Sequence, residues 1–542
     1  MALLVENKFS GLGIFAIISL LIFIPVLLSV SARGVTVSFY GGLILLFVGL
    51  LFFSGKKKFK RIAAVVPLVL ILITGILIFS FPVIQDFIIS NLMEMKARIL
   101  VWEIAWKGFL EKPVLGWGLE NFNIVFDKYF NPKLFLKEYG GEVWFDKTHN
   151  IVLDTLINSG IVGLISYLSV FCVSIFLLLK KCLGNGERIG VNLTIISLLI
   201  AYFVQNLLVF DMISSYVVLF LTLSFVNFLI QKDDFENNNY FVVPRFLKKL
   251  CYVLIFISTG ACFYFGNIQP ANSAINTAGM VTANNAEEAA EFYEKSLKSF
   301  KYNNEINKQF SSILNRETLN LKEDKEVLQK ALNLAEKEVL KNIQDNDIGF
   351  RSRLALARIY VSNYRITLNS YYLDLAEDVL KEAMKLSPEN QQVYWLLSDV
   401  EYKQGNFDSS VSLLKKAIDL EPAYNNSHWY LISLYVMEER YEEALSVIKE
   451  GEKTGFNWRE NLQGFESVIS IHESLKDYKT VSSLCRELLV FYPDNANLWL
   501  KLAISLFDSG DKEGAKEAAQ KAIEINPTLN EQASDILDIL LQ

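Results

Sequence analysis

Apolar residues gather into long unbroken runs in the first half of this chain and into short, regularly spaced stripes in the second. Bilayer hydrocarbon is about 30 Å thick, so a helix that crosses it needs roughly 20 mostly apolar residues. Seven runs reach that length: 11–31, 35–54, 62–81, 151–179, 190–210, 212–231 and 249–268. They predict a polytopic bundle of about seven spans over residues 1–270. The first run leads into Ser31-Ala32-Arg33-Gly34 and further spans, so it reads as a span and not as a cleaved signal. Between the third and fourth runs lies 82–150, a connection of 69 residues. Connections this long between packed elements are usually functional.

Residues 91–110 of that connection, NLMEMKARILVWEIAWKGFL, set Leu92, Met95, Ile99, Trp102 and Trp106 at steps of three and four. That spacing predicts an amphipathic helix, and tryptophan on its apolar face suits the membrane–water boundary. Pro113, Gly116 and Gly118 end it. In the second half, Pro388 and Pro422 are 34 residues apart, as are Pro493 and Pro527. Gly405, Ala417 and Pro422 match Gly510, Ala522 and Pro527 position for position. This pattern resembles tetratricopeptide repeats, helix–turn–helix units that stack because none buries its apolar face alone. Four units are read at 391–424, 425–458, 459–494 and 495–528, with a closing helix at 529–541 and degenerate repeats over 271–390. The fold class is therefore all-α, a membrane bundle followed by an α-solenoid that offers a surface to a protein partner.

Charge sharpens this division. Residues 1–270 carry 22 Lys and Arg against 16 Asp and Glu, whereas residues 271–542 carry 30 against 43. A net charge of −7 argues against nucleic acid as a partner. Cationic loops stay in the cytoplasm. The loops holding Lys56–Arg61, Lys180 with Lys181, and Arg245 with Lys248 and Lys249 are separated by two expected spans each. One orientation in the cytoplasmic membrane satisfies all three, with the N-terminus inside and both segment 82–150 and the repeats outside. Five cysteines, most in or beside apolar runs, do not make a disulfide scaffold.

Candidate chemistry gathers on the outer side. His149 is the single histidine of the first 270 residues, and a near-neutral imidazole can take a proton from a hydroxyl. Arg33 caps an apolar hairpin and Arg98 lies on the amphipathic helix; two guanidiniums at headgroup level suit a diphosphate, gripped through paired N–H donors. Lys147, Asn150 and Trp102 are weaker candidates for substrate contact. The sequence holds no His, Cys and carboxylate cluster with metal-ligand spacing, so a metal-free site without a cofactor is expected.

Together, Arg98-Ile-Leu-Val-Trp102-Glu-Ile-Ala105, Pro113-Val-Leu-Gly116-Trp-Gly118-Leu-Glu-Asn-Phe122, His149-Asn150 and Gly160-Ile-Val-Gly163 resemble the O-antigen ligase and polymerase superfamily. Ser31-Ala32-Arg33-Gly34 is similar to that family's upstream arginine turn, and the likeness covers about residues 10–230. It implies a membrane-embedded, metal-independent inverting glycosyltransferase of the GT-C type. Such an enzyme moves a polyprenyl-diphosphate-linked glycan to an acceptor hydroxyl on a glycan, lipid or protein at the outer face. Arg33 and Arg98 are then the diphosphate ligands and His149 the catalytic base. Family members carry more spans ahead of the arginine turn, so the resemblance implies that N-terminal helices are missing here. Two other readings stand beside ligase or polymerase: a protein O-oligosaccharyltransferase whose acceptor the repeats recruit, and a non-enzymatic, membrane-anchored repeat scaffold.

Overall fold

A computed structural model describes residues 33–53, 84–184, 188–231, 244–299, 304–320, 324–345 and 349–529, and no strand occurs among them. The chain divides into two compact units. One comprises Met1–Phe310, Glu338–Ser352 and Leu386–Pro388; the other comprises Ser311–Lys337, Arg353–Lys385 and Glu389–Gln542.

The first unit contains α1 (Arg33–Phe53), α2 (Ile84–Glu111), α3 (Phe122–Lys128), α4 (Ile151–Leu183), α5 (Ile189–Asn206), α6 (Ile213–Gln231) and α7 (Arg245–Phe263). Leu46, Phe47 and Leu50 of α1, Phe171 and Leu178 of α4, Leu193 and Leu199 of α5, and Leu219 and Val226 of α6 share one buried core. Glycine lets α1 approach α5 closely, because a Cβ at Gly42 would stand 2.8 Å from the Cβ of Ala201. Small residues at such crossings supply packing where lipid removes the hydrophobic drive between helices. Outward residues such as Phe220, Phe228 and Phe256 are exposed, as expected where lipid is the solvent.

Four described helices are long and apolar enough to cross a membrane: Ile151–Leu183, Ile189–Asn206, Ile213–Gln231 and the continuous Arg245–Thr282. Four of the seven expected runs, 151–179, 190–210, 212–231 and 249–268, fall on these helices, which is short of a seven-span bundle. The expected spans 11–31 and 62–81 lie outside the described residues. The run 35–54 does form α1, but its described apolar stretch, Ser38–Phe53, is shorter than a crossing helix. The sequence ends the membrane domain at residue 270. There the backbone passes from α7 through a π-turn, Tyr264–Ile268, directly into α8 (Gln269–Thr282).

Helices α9 (Ala286–Ser299), α10 (Asn304–Asn320), α11 (Lys325–Asp345), α12 (Phe350–Thr367) and α13 (Tyr371–Leu386) follow over the degenerate stretch. The clear repeats are helix pairs: α14 (Gln391–Lys403) with α15 (Phe407–Leu420), α16 (Asn425–Met437) with α17 (Tyr441–Thr454), α18 (Leu462–Ser474) with α19 (Tyr478–Leu489), and α20 (Ala496–Asp508) with α21 (Lys512–Ile525). Their buried leucines, alanines and valines, among them Leu414, Ala444, Val481 and Ala515, form one continuous core. Where the second unit passes into the third, Trp458–Glu460 form a turn whose tryptophan is buried. The expected closing helix, 529–541, lies outside the described residues beyond Leu529.

Candidate active site around His149

Helix α2 presents two faces. Ala97, Val101, Ile104 and Ala105 are buried, whereas Met95, Ile99 and Trp106 of the expected face are exposed, joined by Leu110, which the sequence reading left out. Trp102 sits between the two and is half-buried. Its indole Nε1 donates to the carbonyl of Thr148 at 2.9 Å, and this bond ties α2 to the turn that carries His149.

That turn is tightly built. Thr148 is fully buried, and its Oγ1 donates to the Asn150 carbonyl at 2.9 Å. The Asn150 side chain accepts from the N–H groups of Val152 (3.0 Å) and Leu153 (3.2 Å), so it caps α4. His149 adopts φ = 53°, a left-handed conformation that costs a residue with a Cβ and persists where surrounding contacts impose it. The imidazole lies edge-on between Phe145 and Phe210, with ring centroids 5.9 and 5.1 Å away. Phe145 in turn closes a buried aromatic chain through Phe126, Phe130 and Phe135, with successive centroids 5.5 to 5.9 Å apart.

Behind the turn, α4 is broken at Gly160, where φ is 64° and ψ −164°. The break frees backbone groups, and the segment after α2 takes them up. Trp117 N donates to Ile157 O at 2.7 Å and Gly118 N to Asn158 O at 3.1 Å, while Ile161 N donates to Pro113 O at 2.9 Å. Irregular backbone within a spanning helix requires such internal partners. The approach leaves no room for side chains: a Cβ on Gly160 would stand 2.1 Å from Val114 O, and one on Gly116 2.4 Å from Ile157 O. The Pro113–Gly118 and Gly160–Gly163 segments are thus two halves of one joint.

The connection between α5 and α6, residues 207–212, closes the site. Arg98 Nη1 donates to the Leu208 carbonyl, and two residues on, Phe210 packs against His149. Arg98 and His149 are therefore held by the same short turn. Lys147 pairs with Glu120 at 3.2 Å and stands over the Phe210 ring. Burial pulls the Lys147 ammonium down, but Glu120, Asp154 and Asp146 together hold its pKa above the ordinary lysine value.

Beside Phe210 lies a residue that sequence reasoning missed. Asp211 is 8% exposed, and its Oδ1 accepts from Tyr202 Oη, Asn206 Nδ2 (2.9 Å) and Ser215 Oγ (3.0 Å). Its Oδ2 is buried with no hydrogen-bond partner, as is the Tyr167 hydroxyl. A buried acid in an apolar run was the available signal, since such residues carry function by default. Of the expected site residues, Arg98, Trp102, Lys147, His149 and Asn150 gather here. Arg33 begins α1, but its side chain lies outside the described residues.

Residues 12–168 match the O-antigen ligase family, and residues 373–425, 396–454 and 496–529 match tetratricopeptide repeats. A search of curated proteins finds no match. Among solved structures, a thermophilic tetratricopeptide-repeat protein of Thermus thermophilus is 21% identical, covering 35% of this chain and 90% of its own at a TM-score of 0.27. The C-terminal part of a repeat protein from Cytophaga hutchinsonii is 16% identical, covering 48% and 98%, with a TM-score of 0.34. A tetratricopeptide repeat protein from Parabacteroides merdae is 11% identical, covering 51% and 100%, with a TM-score of 0.30. The chain therefore joins an O-antigen ligase domain, matched over residues 12–168, to C-terminal tetratricopeptide repeats.

Proposed function

We propose that this protein transfers or polymerises a polyprenyl-diphosphate-linked glycan onto an acceptor hydroxyl at the outer face of the cytoplasmic membrane. The observation that carries the proposal is the shared turn 207–212, which holds Arg98 through Leu208 and His149 through Phe210. The acceptor oxygen attacks the anomeric carbon as its proton passes to the His149 imidazole. A new C–O bond forms with inversion, the bond from the anomeric carbon to the diphosphate oxygen breaks, and polyprenyl diphosphate leaves. Arg98, with Arg33 from the start of α1, stabilises the charge that builds on the departing group, a role fixed donors fill at low cost in reorganisation. Lys147 adds a cation at the same mouth, and neither a metal nor a cofactor is part of the scheme.

The orientation follows from the cationic loops. Lys180 and Lys181 sit in the last turn of α4, at the opposite end from His149. With those lysines inside, the His149 turn faces outside, where lipid-linked glycans await transfer. The matched repeats favour a second reading of the acceptor, a polypeptide recruited by the solenoid and glycosylated by the same chemistry.

The test is the surface-glycan profile of cells carrying His149→Gln or Arg98→Lys. General bases contribute about 10²- to 10⁴-fold, so transfer should fall by at least about 100-fold with the protein still in the membrane. An unchanged profile in both variants overturns the proposal.

A further inference from the structure

The four clear repeats contain a second place with the character of a binding site, remote in sequence from His149. Between α16 and α18 runs a groove of two adjoining cavities, about 410 and 500 Å³, which share Trp429, Ser433, Gln463 and Ser467 as walls. Sites for small ligands and polymer segments commonly have volumes of about 300–1,000 Å³. The lining is unusual in its charge. Its acids are Glu460 and Glu466, and no Lys, Arg or His faces either cavity. An anionic ligand, such as a peptide held by its carboxylate, finds no counter-charge there.

What the groove does offer is hydroxyls, amides and rings. Ser433, Ser467, Ser470 and Ser474 recur down its length. At one end Tyr430 is half exposed, and Trp395 stacks between Tyr424 and Tyr430 at centroid distances of 5.8 and 5.2 Å. Asparagines could in principle clamp an extended peptide backbone, but here they are spent within the fold. Asn425 grips the backbone of Asn457 through both N–H (3.0 Å) and carbonyl (3.2 Å), and Asn461 caps Gly464. Ser467 and Ser474 donate to the carbonyls of Gln463 (2.8 Å) and Ser470 (3.0 Å) and keep oxygens that accept. The groups left to a ligand therefore include the Ser433 and Ser470 hydroxyls, which both donate and accept, and flat aromatic faces. Sugar rings need this pair: hydroxyls along their edges for hydrogen bonds, and C–H faces that lie on an aromatic ring.

We propose that the α16–α18 groove binds an uncharged glycan chain. The binding step stands apart from transfer, so it is read without turnover and does not require His149 to be catalytic.

The experiment presents an array of uncharged oligosaccharides, together with acidic oligosaccharides and a library of extended peptides, to the full-length protein in detergent. Wild-type protein and His149→Ala should bind the same uncharged members. Tyr430→Ala removes the exposed ring, and Ser433→Trp fills the groove from an exposed position; each should weaken binding at least tenfold while the repeat helices keep their thermal transition. Absence of binding to every uncharged member overturns the proposal. So does binding that both groove variants leave intact, or peptide binding that Ser433→Trp abolishes while no sugar binds.

Discussion

The Nε1 of Trp102 donates to the carbonyl of Thr148 across 46 residues of chain, at 2.9 Å. Through this bond the helix that carries Arg98 fixes the residue preceding His149. Removing the donor leaves a part-buried carbonyl unpaired, at a cost of about 1–3 kcal/mol. Trp102→Phe keeps the ring and loses only the N–H. Glycan transfer in that variant should fall about tenfold or more, and amide exchange at residues 147–150 should quicken. Transfer at the wild-type rate with unchanged exchange would show that the tie does not position the site.

The joint between α4 and the segment after α2 is held by atoms that leave no space for a methyl group. Gly160→Ala places a Cβ 2.1 Å from Val114 O, at a φ of 64° and ψ of −164° that essentially glycine alone adopts. Strain of that kind costs on the order of 1–3 kcal/mol before the clash is counted. Gly160→Ala and Gly116→Ala should both yield far less folded protein, read as monodisperse material after detergent extraction. The control Gly140→Ala, where a Cβ meets nothing within 4 Å, shares a positive φ of 84° and isolates backbone strain from steric overlap.

Asp211 gathers three donors on one oxygen at the turn that holds Arg98 and His149. Asp211→Ala strands those donors, so it should loosen residues 207–212 and lower transfer along with stability. Asp211→Asn keeps the size and one acceptor oxygen, and should retain the fold. Exchange protection across 204–213 separates the two effects: equal protection in Asp211→Ala and wild-type protein would rule out the turn-holding role.

In the repeats, His428 is 2% exposed, stacks on Phe456 and contacts Pro422 O through Nε2 at 2.8 Å. Burial lowers its pKa, with the Pro422 bond opposing. A base whose folded pKa is depressed binds fewer protons folded than unfolded, so its contribution is intact above the unfolded value of about 6.5 and is lost as pH falls below it. Exchange protection of α16 should therefore drop as pH falls below about 6.5, and His428→Gln should flatten that dependence. A profile equally steep in the variant would assign the titration elsewhere.

The helical character of the chain, its repeat pairs and, of the expected stripe, the exposed Met95, Ile99 and Trp106 were legible because each follows from local periodicity. The His149 neighbourhood was legible only as a list of residue types. Asn150 read as a weaker candidate for substrate contact, and its oxygen also caps α4, a role fixed by backbone that no spacing discloses. Gly160 read as part of a motif, whereas its function is to break a helix so that residues 113–118 can pair with it. The continuity of α7 into α8 was hidden because polar composition changes at residue 270 while helix propensity does not. Asp211 was overlooked because it stands alone between two apolar runs, and its donors come from two helices, Tyr202 and Asn206 from α5 and Ser215 from α6.

The central claim, that Arg98 and His149 serve one transfer reaction, is tested most directly with purified full-length protein in nanodiscs supplied with a polyprenyl-diphosphate-linked glycan and an acceptor. The rate of polyprenyl diphosphate release is measured across pH for wild-type protein, His149→Ala and Arg98→Ala. The account predicts a wild-type rate that rises with pH as one base loses its proton, a loss of at least about 100-fold in His149→Ala with that pH limb abolished, and weakened glycan-lipid binding in Arg98→Ala. Release at the wild-type rate and with the wild-type pH profile in His149→Ala would contradict it.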